Sequence, residues 1–255
     1  MFRVVIPARH ASTRLPGKPL LPIAGLPMVL HVLRLAQRSG AAEVIVATDD
    51  TRIRDACDAA GAQVEMTLPD HASGTDRIAE VAARRGWADR DVVVNVQGDE
   101  PLLPPALIGQ VAALLVATPA AAIATLATPI ASDAEYLDPD VVKVVARPDG
   151  MAMYFSRAPI PWDRDGSAAV PPGRERHRGS RRHLGLYAYR VAALRALAAA
   201  PPAAIEQRER LEQLRALALG LAIVVADASE VPGPGVDSAQ DLARVEALLQ
   251  AEPAP

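Results

Sequence analysis

Within the first fifty residues an apolar run, RVVIPA (3–8), is followed by PMVLHVLRLAQRSG (27–40) and then by AEVIVATDD (42–50), and nothing else in the chain constrains its fold as tightly. The outer runs have the length and residue types of buried strands. The middle segment opens on Pro27, which a first helical turn tolerates, closes on Gly40, and repeats Val29, Val32, Leu33 and Ala36 at helical spacing. Strand, helix, strand is a βαβ unit, whose two strands should be parallel. The alternation continues. Helices are predicted over 51–60, 75–85, 104–117, 190–199, 206–219 and 238–250, and strands over 91–101, 121–127, 141–146, 184–189 and 221–226, with no internal repeat. The expected class is α/β, a doubly wound, mostly parallel sheet, in which ligands collect at the carboxyl ends of the strands. Three polar motifs follow strand ends directly: the loop 9–18, TDD at 48–50 and QGDEP at 97–101. That coincidence locates a candidate site.

Composition narrows what the site can take. The 255 residues fit one large domain or two small ones, half of them are apolar, and with only 3% aromatics the core must be built from Ala, Val, Leu and Ile. A formal charge of -3 gives no basic excess of the kind nucleic-acid binders carry, so no nucleic acid is expected, while small anions stay open. The apolar run after Met1, Phe2 and Arg3 is too short for a signal peptide, and the long apolar stretch 111–131 is mostly Ala and interrupted by Pro119 and Pro129. No membrane insertion is expected. Cys57 is the only cysteine, which suits a reducing cytoplasm, and its place on a predicted helix makes it a packing residue. Of 27 Lys and Arg residues only two are Lys, at 18 and 143, and a compact ammonium is not equivalent to a guanidinium. The Gly, Pro and Arg-rich segment 163–182 reads as an exposed loop.

Pro16 and Pro19 forbid an ordinary helix through the first loop, so turns display Arg9, Arg14 and Lys18. A Walker loop would need Gly where Ser12 stands and Ser or Thr where Pro19 stands, and no G-x-G-x-x-G follows the first strand. Either the three cations are simply solvated, or an anion sits among them; a triphosphate suits the position after the first strand of a βαβ unit. Asp99 and Glu100 follow the strand VVVNVQG, where Gly98 is expected to let the backbone turn, and Asp237 follows the turn VPGPG before the last helix. Carboxylates beside a phosphate site suit Mg²⁺. Taken singly, each aspartate also has a structural reading, although Ser238 suits the helix N-cap better than Asp237.

Eight motifs in order then carry a resemblance: IPARHASTRLPGKPL (6–20), HASGTDR (71–77), VNVQGDEP (94–101), VKVV (142–145), YFSRAPIPWDRD (154–165), RHLGLYAYR (182–190), LEQLRALALG (211–220) and VPGPGVD (231–237). Through nearly the whole chain the sequence resembles the 3-deoxy-manno-octulosonate cytidylyltransferase (CMP-Kdo synthetase) family. The resemblance implies a fold of nucleotide-diphospho-sugar transferase type with a smaller sugar-binding and dimerisation subregion. It also implies transfer of CMP from CTP to Kdo with release of pyrophosphate, a Mg²⁺ requirement, a cytoplasmic role in lipopolysaccharide synthesis, and a homodimer built around 150–200. Residues 1–130 would form the nucleotide part of a single domain, 131–220 the sugar and dimer part, and 221–250 a returning segment with a metal ligand.

By the same resemblance Arg9, Arg14 and Lys18 would hold the leaving phosphates. Ala8, Ser73, Thr75, Arg77 and Gln97 would line the nucleotide site, and Asp99 and Asp237 would hold metal. Arg9, Lys18, Asp99 and Asp237 would form the catalytic set. Gln97, Arg157, His183, Tyr187, Glu212 and Gln213 would face the sugar, Arg157 as a planar fork for its carboxylate. Read without the resemblance, His183 and Tyr187 are packing residues on a strand, and Glu212 is a helix residue paired with Arg208 or Arg215. His10 departs from the family's more usual aromatic, 166–181 departs in length and composition, and Lys143 fits the pattern without an assigned role. The alternatives are a related sugar acid, such as 8-amino-Kdo or sialic acid, a sugar phosphate with another nucleotide, and a nucleotide-binding protein without turnover.

Overall fold

Alternation along the first strand, β1 (Arg3–Ala8), sets up two layers: Val4, Ile6 and Ala8 turn to one face of the sheet and Val5 to the other. The computed structural model describes residues 1–11, 15–164 and 175–251. Arg14 and most of the 166–181 segment lie outside them. After β1 come a hairpin of two-residue strands, β2 (Pro22–Ile23) and β3 (Leu26–Pro27), then α1 (Met28–Gln37), β4 (Glu43–Thr48), α2 (Thr51–Ala59) and β5 (Gln63–Met66). The chain returns through α3 (Gly74–Arg84) to β6 (Val92–Asn95), and passes through α4 (Pro105–Ala117) to β7 (Ile123–Pro129) and α5 (Asp133–Leu137). The strands β8 (Lys143–Ala146), β9 (Ala152–Ser156) and β10 (Arg181–Arg190) follow. The short helices α6 (Val191–Ala199), α7 (Ala204–Glu209) and α8 (Gln213–Ala218) lead to β11 (Ile223–Asp227) and α9 (Ala239–Ala251).

The sheet runs β11-β7-β10-β6-β1-β4-β5, with β8 paired to β10 and β9 to β8. Pairs β1/β4, β1/β6, β4/β5 and β7/β11 are parallel, while β10 is antiparallel to both β6 and β7. From β1 the chain first builds toward β5 and then comes back to β6 on the other side of β1, so the topological switch lies between β1 and β6. A crevice beyond the carboxyl ends of those two strands is where this architecture places a ligand. One face is covered by α1, α2 and α4 and the other by α3, α6 and α8. A smaller cluster, Ile23, Met28, Val236 and Val245, joins the hairpin to α9. Cys57 is buried against the first layer, as a packing residue should be.

Three expectations need correction. The helix expected over 206–219 is two helices, because Arg210 takes a left-handed conformation (φ 52°) that interrupts the hydrogen-bond ladder. The strand expected over 91–101 ends at Asn95, and 97–101 is loop. The strand expected over 184–189 begins earlier, at Arg181. Gly98 does sit in the turn expected of it, inside the bond from the Glu100 N–H to the Gln97 carbonyl at 3.3 Å, and a Cβ on it would stand 3.0 Å from the Pro7 carbonyl oxygen. Among the described residues no helix is long and apolar enough to cross a membrane.

Candidate active site

The loop after β1 is closed by Gly17, whose left-handed backbone (φ 67°) places its N–H on the His10 carbonyl at 3.2 Å. A 3-10 turn, Lys18–Leu20, follows and carries Lys18 inward until its residue is only 9% exposed. There the Lys18 ammonium donates to Asp99 Oδ2 at 2.7 Å and to Asp237 Oδ1 at 3.1 Å. These carboxylates come from segments far apart in sequence. They meet because the Val236 N–H donates to the Asp99 carbonyl at 2.9 Å, and because glycines at 233 and 235 let that strap lie directly on Leu102 and Glu100. A Cβ at Gly233 would stand 2.6 Å from Leu102 Cβ, and one at Gly235 would stand 2.9 Å from Glu100 Oε1. At the start of the last helix the Ser238 hydroxyl accepts from the Asp241 N–H, and the N–H groups of Asp237 and Ser238 both donate to the Asp241 carboxylate, while the Asp237 carboxylate faces Lys18.

A cavity of about 270 Å³ opens at this point, lined on one side by Ala8, Arg9 and Lys18, on another by Ser73 and Arg77, and on a third by Gln97, Asp99 and Asp237. Pro7, His71 and Gly98 complete its walls. Arg77 is buried and braced, with Nη2 on Asp49 Oδ2 at 3.1 Å and Nη1 on the Thr67 hydroxyl. The TDD motif thus supplies Asp49 to hold Arg77, while Asp50 caps α2 by accepting from the Arg52 N–H at 2.9 Å. Ser73 caps α3 through a reciprocal pair with Asp76. Thr75 is buried behind the wall rather than lining it.

Gln97 also lines a second, smaller cavity of about 80 Å³, shared with Glu100, Arg182, His183 and the glycines 185, 233 and 235. His183 donates or accepts through Nε2 to the Thr125 hydroxyl at 3.0 Å, with Phe155 edge-on to its ring at 5.0 Å and Tyr187 at 5.2 Å. Burial holds its pKa down at about 3, so the imidazole is neutral. Burial, with the neighbouring Asp99 charge, pushes Glu100 up to about 7. Tyr187 stands behind His183 and does not reach either cavity.

Glu212 is not paired as a helix-surface residue would be: Arg215 pairs with Glu206 instead, at 2.9 and 2.5 Å. Burial pushes the Glu212 pKa upward, with the nearby Thr75 and Ser73 hydroxyls acting in the opposite direction. Gln213 opens α8 beside it. Arg157 lies outside both cavities, with Nε on the Glu209 carbonyl at 2.8 Å and Nη1 on the Pro139 carbonyl at 2.9 Å. Arg182, Asp49 and His71 were not singled out from the sequence as site residues. Their motifs, RHLGLYAYR, TDD and HASGTDR, were visible, but only the strand order shows that they converge.

Comparison with known proteins shows the family. A family profile described as Cytidylyltransferase matches residues 3–223. A 3-deoxy-manno-octulosonate cytidylyltransferase of Thioalkalivibrio sulfidiphilus (strain HL-EbGR7) is 56% identical over 253 residues, covering 98% of this chain and 99% of the relative. The chain belongs to the 3-deoxy-manno-octulosonate cytidylyltransferase family. A second member, from Halorhodospira halophila (strain DSM 244 / SL1), is 55% identical over 249 residues, 98% of this chain and 97% of its own. The solved structure of CMP:2-keto-3-deoxy-manno-octonic acid synthetase complexed with CTP is similar at a TM-score of 0.87 and 41% identity, over 98% of this chain and 99% of that one. A cytidylyltransferase from Leptospira borgpetersenii serovar Hardjo-bovis (strain JB197) shares the fold alone, at a TM-score of 0.63 and 14% identity.

Proposed function

We propose that this cytidylyltransferase transfers CMP from CTP to Kdo and releases pyrophosphate, with the nucleotide in the larger cavity and the sugar acid entering from the Gln97 and His183 side. The observation that carries this reading is the contact of one buried ammonium, Lys18, with both Asp99 and Asp237 in a cavity that Arg9 also lines. In the reaction the anomeric hydroxyl oxygen of Kdo bonds to the α-phosphorus of CTP, the bond to the β-phosphate bridging oxygen breaks, and the hydroxyl proton is lost to solvent. In such an in-line displacement a protein mainly positions the reactants and neutralises charge.

Arg9, Arg14 and Lys18 would hold the departing phosphates, and Ala8, Ser73, Thr75, Arg77 and Gln97 would shape the nucleotide site. Two oxygen-donor carboxylates converging on one cation fit Mg²⁺, which needs only one or two side chains beside the substrate phosphates; among the described residues no cluster of three or more ligands competes with them. Asp99 and Asp237 would hold the ion, which adds positive charge at the phosphates and makes the attacking hydroxyl more acidic. Lys18 would then exchange its carboxylate partners for phosphate oxygens. Gln97, His183, Tyr187, Glu212, Gln213 and Arg157 would orient the sugar acid, His183 as a neutral ring.

The nucleotide part would comprise 1–130, the sugar and dimer part 131–220, and the returning segment 221–250. A homodimer and a cytoplasmic place in lipopolysaccharide synthesis complete the reading. Incubation with CTP, Kdo and Mg²⁺ should give a product with the mass of CMP-Kdo. Product from UTP but not CTP, from sialic acid or 8-amino-Kdo but not Kdo, or none at all despite CTP binding, would overturn it.

A further inference from the structure

Lys143, the chain's other lysine, is fully buried at the start of β8, and among the described residues no carboxylate pairs with its ammonium. Its Nζ donates instead to three backbone carbonyls: Val141 at 2.6 Å, Asp138 at 2.8 Å and Arg157 at 2.6 Å. An ammonium has three N–H donors, so all are used. The three acceptors belong to the turn before β8 and to the exit of β9, which the single cation draws to one point. From the opposite side the Glu209 carboxylate grips the same exit, accepting from the Ser156 hydroxyl at 2.7 Å and from the Arg157 N–H at 2.9 Å. The Glu209 carbonyl also accepts from Arg157 Nε. Burial lowers the affinity of Lys143 for its proton, and the three carbonyl contacts offset part of the cost of keeping the ammonium charged there.

We infer that Lys143 is a positioning residue for the sugar-acid half of the site, acting through the Arg157 carbonyl and Glu209 to fix Arg157 and the 209–213 segment that carries Glu212 and Gln213. The inference deepens the proposed function and rests on it for the identity of the acceptor. Lys143, Arg157 and Glu209 do not line the larger cavity, and the framed segment meets its wall only through Glu212 beside Ser73 and Thr75, so the effect on the nucleotide should be the smaller of the two.

The test pairs Lys143→Met, similar in length but unable to donate, with Glu209→Gln, which loosens the same exit without altering Lys143. Steady-state kinetics should show KM for Kdo raised about tenfold in Lys143→Met and about threefold in Glu209→Gln, with KM for CTP within about twofold of the parent. Equal changes in both KM values, or in neither, would overturn the inference. Should Lys143→Met fail to fold, Glu209→Gln decides by the same split. A parent protein that binds CTP but makes no CMP-Kdo would overturn the proposed function alone. Hydrogen exchange then decides the inference: faster exchange at 156–158 and 204–213 in the folded variants, with 92–99 unchanged, supports it, and unchanged exchange at 156–158 overturns it.

Discussion

The only two lysines of the chain sit in opposite electrostatic situations. Lys18 is neutralised by formal charges, two carboxylates whose side chains are 38% and 57% exposed. Lys143 is neutralised by dipoles, three peptide carbonyls, in a site with no exposure at all. The first arrangement can be rearranged, because water, phosphate or a metal can take over any one of its contacts at small cost. The second cannot, since each carbonyl that loses its donor is stranded away from water. One residue type therefore serves an exchangeable contact after β1 and a fixed frame where β8 joins β10, both at the carboxyl end of the parallel strands.

Four experiments would break or sharpen that contrast. Asp99→Asn should have the largest effect: pyrophosphate release should fall by about a thousandfold, the rate equivalent of about 4 kcal/mol, with the far-UV spectrum unchanged. Lys18→Met should lower turnover by about a hundredfold while shifting stability by less than about 1 kcal/mol, because its carboxylates are already partly solvated. Lys143→Met should show the reverse weighting, a stability loss of about 2–4 kcal/mol by denaturant titration from the stranded carbonyls. Ser156→Ala, which removes the hydroxyl's bonds to Glu209 and to the Ala158 N–H, should cost about 1–2 kcal/mol. A Lys143 variant as stable as the parent would erase the distinction.

A pH measurement separates the frame from the reacting centre in another way. The native His183 ring titrates at about 3, against 6.5 for an ordinary histidine. Between those values the unfolded chain binds a proton that the folded chain does not. Stability should therefore fall as pH drops below about 6.5, with this one group contributing at most about 1.4 kcal/mol per pH unit. His183→Leu should flatten that part of the curve in urea titrations between pH 7 and 5.

Much of the fold could be read in advance where the apolar period is clean. β1, α1 and β4 are such segments, and so are α4 and the helix that begins after the Gly and Pro turn at 231–235. β5 escaped notice because QVEM offers only two apolar residues on a sheet edge, a pattern too short to carry a period. The break at Arg210 escaped because the residue with positive φ is neither Gly nor Asn, so composition gives no stop signal there. For the site, Arg9, Lys18 and Asp99 are legible as charges in segments that follow strands, and Asp237 as one after a Gly and Pro turn, and the four do line one cavity. The partners that brace them were not. Asp49 under Arg77, Glu209 under Arg157 and the Thr125 hydroxyl on His183 depend on which strands are neighbours, and a chain read alone does not disclose strand order. Glu212 illustrates the point. Its spacing to Arg208 and Arg215 suggested a helix-surface pair, whereas the tertiary fold carries it against Ser73 and Thr75.

The insertion of β10 between β6 and β7 has a mechanical consequence. Tyr187 through Arg190 are in register with Asn95 through Val92, so the strand that carries His183 and Tyr187 is laced directly to the strand that leads to Asp99. A pivot between donor and acceptor halves would have to unzip that seam at the centre of the slab. Any closing over a ligand is therefore left to segments outside that seam, such as 68–73 and 231–237, which reach the larger cavity through His71, Ser73 and Asp237.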